Sequence, residues 1–304
     1  MDTSVKDLLA RIRSRIYKAI AGFFHYVPRS YPYVSGNEFR AMADHIYDDR
    51  KKCKPGDIND SDVVFVQTDK IDTWFSDIHP LIHARYILIT HNSDKSVGEH
   101  EAAQIDAKIL HWFAQNNTFS HEKITPIPIG LENRAIFLNG WALYKNMQRL
   151  SAKVHAKLPR ILFGFKVNTN PKERTVALNV LRSSSSAHEI RTKPHPVEYF
   201  RLLNRYEFVA SPEGNGPDCH RTWEALYLKT LPIVKDAHFT RYFASLGLPI
   251  WIVHEWSEIE KYNAEGIQKK YAALTVSASW EALEMDFWIK KIRSVSSAVT
   301  DTRI

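Results

Sequence analysis

The stretch Phe208-Val-Ala-Ser-Pro-Glu-Gly-Asn-Gly-Pro-Asp-Cys-His-Arg-Thr-Trp-Glu-Ala-Leu-Tyr-Leu-Lys-Thr-Leu-Pro-Ile-Val234 decides the fold. It opens on a short apolar run, turns at Gly214 and Gly216, continues with helical spacing from Cys219 to Leu228, and closes on the apolar run Leu231 to Val234. A strand, a turn, a helix and a second strand in so short a span form a βαβ unit, whose two strands are parallel. In an open parallel sheet, ligands sit beyond the carboxyl ends of the strands, where this glycine-containing turn falls.

The same alternation extends in both directions. Downstream comes the strand Pro249 to Val253, and the chain closes with a helix from Trp280 to Arg293. Upstream, the strand Arg160 to Phe165 is followed by helix Glu173 to Leu181, a polar loop at Ser183 to Ser186, helix Pro196 to Asn204 and strand Tyr206 to Ala210. In the first half, Asp62 to Gln67 and Tyr86 to Thr90 are nearly continuous apolar runs of the kind covered on both faces. Glu101 to Phe113 reads as a helix, and Ile124 to Ile129 as a strand ending at Gly130. Residues 138–156 read as a polar helix, stopped by Leu158-Pro159. The expectation is an α/β chain with two Rossmann-like parallel-sheet domains: an amino-terminal helix over 1–27, a first domain over 28–157, a second over 158–278, and a carboxyl-terminal helix over 279–304 that returns to the first domain.

Composition is consistent with this. The chain of 304 residues is 44% hydrophobic and 25% charged, which excludes disordered, collagenous and coiled-coil classes. A net charge of +7 suits a phosphate-bearing ligand, an anionic membrane or nucleic acid without choosing among them. Basic residues are spread along the chain rather than clustered among aromatics, which argues against nucleic acid. Two cysteines, Cys53 and Cys219, match no metal or redox spacing and fit a reducing compartment. No apolar stretch approaches the length of a spanning helix. Residues 4–26 place Val5, Leu8, Leu9, Ile12, Ile16, Ala19, Ile20 and Phe23 on one stripe with Lys and Arg opposite, a helix either docked on the first domain or lying on an anionic membrane.

The chemistry concentrates in the opening stretch. Gly214 and Gly216 let backbone approach a ligand closely, Asp218 suits the cap of the following helix, and that helix start offers free N–H groups to phosphate. Arg221 and Glu224 share a face. They form either an ordinary intrahelical pair or a nucleotide clamp, with arginine on a diphosphate and glutamate on a ribose. The segment Ser211-Pro-Glu-Gly-Asn-Gly-Pro-Asp-Cys-His-Arg-Thr-Trp-Glu-Ala-Leu, followed by Leu-Pro-Ile-Val, resembles the donor-binding signature of exostosin-like glycosyltransferases. The resemblance extends over about residues 30 to 260 and departs from the pattern at Glu213 and Lys229. It implies the two-domain GT-B fold, with Arg221 on the diphosphate, Glu224 on the ribose, and the turn Gly214, Asn215, Gly216 beside the donor, flanked by Glu213, Asp218 and Thr222. The stretch is more loosely similar to the donor motif of bacterial α-1,3-fucosyltransferases, which implies GDP-fucose instead.

The loop Lys166-Val-Asn-Thr-Asn-Pro-Lys-Glu-Arg174 follows the first strand of the second domain. In the GT-B arrangement Asn168, Asn170 and Arg174 face the donor; Asn-Thr-Asn-Pro is equally a loop with a helix cap. In the first domain, Tyr86-Ile-Leu-Ile-Thr-His-Asn-Ser-Asp94 runs from a buried strand into polar residues. An inverting sugar transfer needs a base on the acceptor hydroxyl. Asp94 is the first candidate, His91 the second and Glu99 a third, while the same residues also suit a simple turn. Asn92, Gly130, Glu132 and Asn133 are candidates for the acceptor side. The histidines form no zinc-binding pattern, and no metal or other cofactor is expected. The reading is an inverting glycosyltransferase that uses a nucleotide-sugar donor and a polysaccharide or lipid-linked oligosaccharide acceptor, cytoplasmic and at most peripheral at the inner membrane leaflet. A nonenzymatic nucleotide-sugar or glycan binder is the alternative.

Overall fold

The computed structural model describes residues 27, 29–133, 144, 147–151 and 156–301. The amphipathic segment expected over 4–26 lies outside them, as does most of the helix expected over 138–156. The described strands form two five-stranded sheets, parallel throughout. The first contains β1 (His45–Tyr47), β2 (Val63–Gln67), β3 (Tyr86–His91), β4 (Ile109–Ala114) and β5 (Ile124–Pro126), side by side in chain order. The second contains β6 (Leu158–Phe163), β7 (Ala187–Glu189), β8 (Tyr206–Ala210), β9 (Leu231–Lys235) and β10 (Trp251–Val253), in the order β10-β9-β8-β6-β7. The main helices are α1 (Gly36–Met42), α2 (Pro171–Ser183), α3 (Pro196–Leu203), α4 (His220–Tyr227), α5 (His238–Ser245), α6 (Ala264–Thr275) and α7 (Met285–Asp301).

Side chains alternate between two cores, as the pleat requires. Val63, Phe65, Ile87 and Ile89 enter one, and Val64, Val66, Tyr86 and Leu88 the other. Because β1 to β5 lie in chain order, right-handed crossovers put the connecting segments on one face. Ile58, Ile71, Trp74, Val97 and Ala102 pack there. The opposite face is covered by α1 and by α7, which arrives from the far end of the chain and packs on β3 and β4. Trp288 of α7 is fully buried, with its ring edge-on to Phe39 of α1 and to Phe243 of α5, so one core runs through both halves.

Several elements differ from the sequence reading. The helix expected over Glu101 to Phe113 is a short helical turn, Glu99–Ala102, followed by strand β4. Pairing with β3 and the bond from the Trp112 indole N–H to Thr90 Oγ1 (2.8 Å) prevail over the helical propensity of Ala107 to Leu110. Strands β1 and β7 and helices α5 and α6 were not expected. Asp218 does not cap α4: Cys219 holds the N-cap position and the Asp218 side chain is engaged elsewhere. Lys229, one departure from the resembled motif, has φ +57°, the left-handed region that favours glycine. Its ammonium sits 3.3 Å from the centre of the Trp280 ring, a cation–π contact that offsets the strain.

Candidate active site

The order of the second sheet reverses direction after β6: the chain moves outward to β7, then returns past β6 to β8, β9 and β10. A crevice opens at the carboxyl ends of β6 and β8, where such a reversal places a ligand site. The loop after β6 and the turn after β8 both enter it. Thr169, Arg174, Gly214, Asn215, Gly216, Arg221 and Glu224 line a cavity of about 350 Å³ there, with Tyr199 of α3.

Arg174 is buried and held by backbone carbonyls: its Nε donates to Glu213 O (2.7 Å) and its Nη1 to Lys166 O (2.8 Å). Arg221 donates from Nη2 to Gly164 O (3.1 Å). Both guanidinium carbons lie within 6 Å of the Phe165 ring centre, at 5.6 and 5.9 Å. Neither forms an ion pair among the described residues. Two fixed cations near one ring, at the start of a helix, have the chemistry that could hold a diphosphate. Glu224, one turn along α4, also lines the cavity; burial pushes its pKa up to about 7, against the pull of Arg221 and with the help of Glu132.

Other candidates of the second half are placed differently. Asn168 is exposed and is not in the cavity lining, where its neighbour Thr169 stands instead. Asn170 uses its side-chain oxygen to cap α2 at Glu173 N–H (3.2 Å), so the cap reading holds there. The Glu213 side chain lines a separate small cavity with Lys235, and only its carbonyl serves the site, through Arg174. Thr222 is buried against Ser211, Oγ to Oγ at 2.9 Å, and braces the turn from behind.

The first sheet presents its own strand ends to this crevice. The Asp218 carboxylate accepts from the Ile129 backbone N–H (2.8 Å) and from the Trp223 indole N–H, while Asp218 N–H donates to Asn116 Oδ1 (3.1 Å). A side chain at Gly216 would place its Cβ 2.9 Å from Asn116 Nδ2 and 3.2 Å from Asp94 O, so glycine permits the close approach. Beyond this seam lies a second cavity of about 590 Å³, lined by polar residues such as Asn37, Arg40, Asp48, Gln67, Asn92 and Asn133. Asp94, Ile129 and His220 line both cavities.

Among the first-half candidates, Asp94 and Glu99 are exposed, and Asp94 alone of the two reaches the cleft. His91 is buried with both ring nitrogens engaged: Nε2–H donates to Pro128 O (3.0 Å) and Nδ1 accepts from Asn92 N–H (2.7 Å). Burial lowers its pKa to about 4, and with no free lone pair it is a wall rather than a base. Asn92, at φ +63°, accepts at Oδ1 from Asn133 Nδ2 (2.8 Å), and Asn133 Oδ1 accepts from Asn37 N–H (2.7 Å); both shape the larger cavity. Gly130, at φ +67°, offers its carbonyl to His220 Nδ1 (2.8 Å). Glu132 is half-buried and acts on Glu224 through its charge. Tyr199, Asn116 and His220 were missed as site residues. His220 had a signal, since it adjoins Arg221 in the motif; Tyr199 and Asn116 had none. Among the described residues, no group of three or more His, Cys, Asp or Glu could hold a metal ion, and no helix is long and apolar enough to cross a membrane.

Two parallel α/β halves facing each other across a cleft are the GT-B architecture. No protein-family model matches the chain, and no curated protein matches it in sequence. Among solved structures, it is similar to an α,α-trehalose 6-phosphate synthase from Burkholderia multivorans, at 7% identity over 82% of this chain and 74% of that one, TM-score 0.43. It is similar to Anabaena HepE in complex with UDP-glucose, at 10% identity over 79% and 78%, TM-score 0.41. It is also similar to the spinosyn rhamnosyltransferase SpnG complexed with thymidine diphosphate, at 10% identity over 79% and 69%, TM-score 0.31. Likenesses this loose transfer no function, and the fold stands on the chain's own strand order and cleft.

Proposed function

We propose that the protein is a glycosyltransferase of the exostosin-like kind, taking a sugar from a nucleotide diphosphate donor to a hydroxyl of a glycan or lipid-linked glycan with inversion. The observation that carries this reading is the pair Arg174 and Arg221. Two guanidiniums are fixed by carbonyls, with no carboxylate within ion-pair distance among the described residues, at the crevice between β6 and β8. Cations so held are preorganised for the charge that gathers on a departing diphosphate, and no metal is needed for that stabilisation. Glu224 suits the ribose hydroxyls. The larger cavity, rich in amides and charged groups, suits a sugar-bearing acceptor better than an aliphatic one. The basic amphipathic segment over 1–27 would bring the enzyme to the inner leaflet of a membrane.

Titration calorimetry with UDP-, GDP- and dTDP-sugars tests this directly, with a CMP-sugar, which carries one phosphate, as the control. One of them should bind, and Arg221→Ala should weaken that binding by about 2 kcal/mol, roughly 30-fold, the value of a charge-assisted hydrogen bond. Absence of binding by all three diphosphate sugars, or equal affinity in the variant, would remove the assignment.

A further inference from the structure

We infer that His220 is the catalytic base, taking the acceptor's proton at Nε2 while Asp94 stabilises the imidazolium. This rests on the transferase reading and names a residue within that same site.

The geometry is specific. Gly130 O can only accept, so the Nδ1 that lies 2.8 Å from it carries the hydrogen, and the lone pair of the neutral ring is on Nε2. Nε2 has no hydrogen-bond partner among the described residues, whereas both nitrogens of His91 are occupied. His220 lines both cavities, so it stands between the fixed cations of one and the polar walls of the other. Asp94 lines both as well, and its charge raises the affinity of the ring for a proton. Burial works in the opposite direction and keeps the resting ring neutral, as a base must be. Among the described residues, the other titratable group interacting with this ring is His91, itself held neutral by burial.

In the step, the acceptor hydroxyl gives its proton to Nε2 as its oxygen bonds to the anomeric carbon. The bond from that carbon to the diphosphate oxygen breaks, and its electron pair stays on the diphosphate beside Arg174 and Arg221. The imidazolium then releases its proton to water. The products are a glycoside, a nucleoside diphosphate and one proton.

The test uses the full chain and whichever UDP-, GDP- or dTDP-sugar it binds, following nucleoside diphosphate release with water or with a panel of mono- and disaccharides as acceptor. His220→Asn keeps a donor near the place of Nδ1 and deletes Nε2. It should lower kcat roughly 10²- to 10⁴-fold while donor Kd stays within about threefold. Imidazole added to His220→Ala should restore part of the rate, which a merely structural role would not allow. His220→Gln serves if the Asn variant fails to fold. A wild-type protein that turns over, with a variant kcat within about threefold, overturns the base assignment alone, and so does a variant that loses donor binding. A wild-type protein that binds none of the donors overturns the transferase reading itself.

Discussion

Asp218→Asn tests how the two halves are joined. The Asp218 carboxyl is buried at the seam, and burial pushes its pKa up to about 7 despite the Ile129 and Trp223 donors that favour its charge. In an unfolded chain the group titrates at about 3.9. The folded protein therefore keeps a proton that the unfolded chain has released, and this contribution to stability declines as pH rises from about 4 to 7. Between pH 5 and pH 7, at about 1.4 kcal/mol per unit, the decline is about 3 kcal/mol. Asparagine does not titrate, so the stability of the variant relative to wild type should rise by about 3 kcal/mol from pH 5 to pH 8, independently of other titrating groups. Urea denaturation at pH 5, 6, 7 and 8, followed by tryptophan fluorescence, measures this, with Trp223 as a local reporter. Parallel stability profiles for the two proteins would mean that the buried carboxyl is already ionised at pH 5, and the account of the seam would be wrong.

Glu224 has the opposite consequence for ligand binding. In the proposed role on the ribose, its carboxylate, ionised above about pH 7, would accept the hydroxyls, so donor affinity should increase from pH 6 to pH 8; Glu224→Gln should flatten that profile and weaken binding at pH 8 by about 2 kcal/mol in calorimetry. Gly216→Ala puts a methyl against Asn116 and the Asp94 backbone, and should lower unfolding free energy by about 1–3 kcal/mol in the same urea titration. An unchanged midpoint would show that the halves part freely at that point.

The lining of the smaller cavity was legible because its residues are contiguous. Gly214, Gly216, Arg221 and Glu224 fall on one strand–turn–helix unit, and local spacing fixes their mutual position. Arg174 was legible as the arginine closing the neighbouring loop, although its anchoring carbonyls were not. Asn170 and Thr222 have side chains equally suited to ligands or to caps, and only the positions of Glu173 N–H and Ser211 decide. The seam was hidden, since Asp218 meets Ile129 and His220 meets Gly130 across about ninety intervening residues. In the fold, β2, β3 and β8 announce themselves by long apolar runs. Strands β1 and β7 are three residues each, with charged or imidazole side chains among them, and their pairing comes from neighbours rather than from their own pattern. Strand β4 was misread because Ala107 to Leu110 is helix-forming in isolation.

The placement of α7 bears on how the molecule comes to exist. A ribosome delivers the first sheet before the second, yet α7, which covers the first sheet's second face, is made only after the whole of the second sheet. Until Trp288 and Ile292 arrive, Phe65, Ile87 and Ile89 lack part of the cluster they pack in, and the nascent half resembles a client for chaperones more than a finished domain. A premature stop before Met285 would thus harm the half of the protein made earliest.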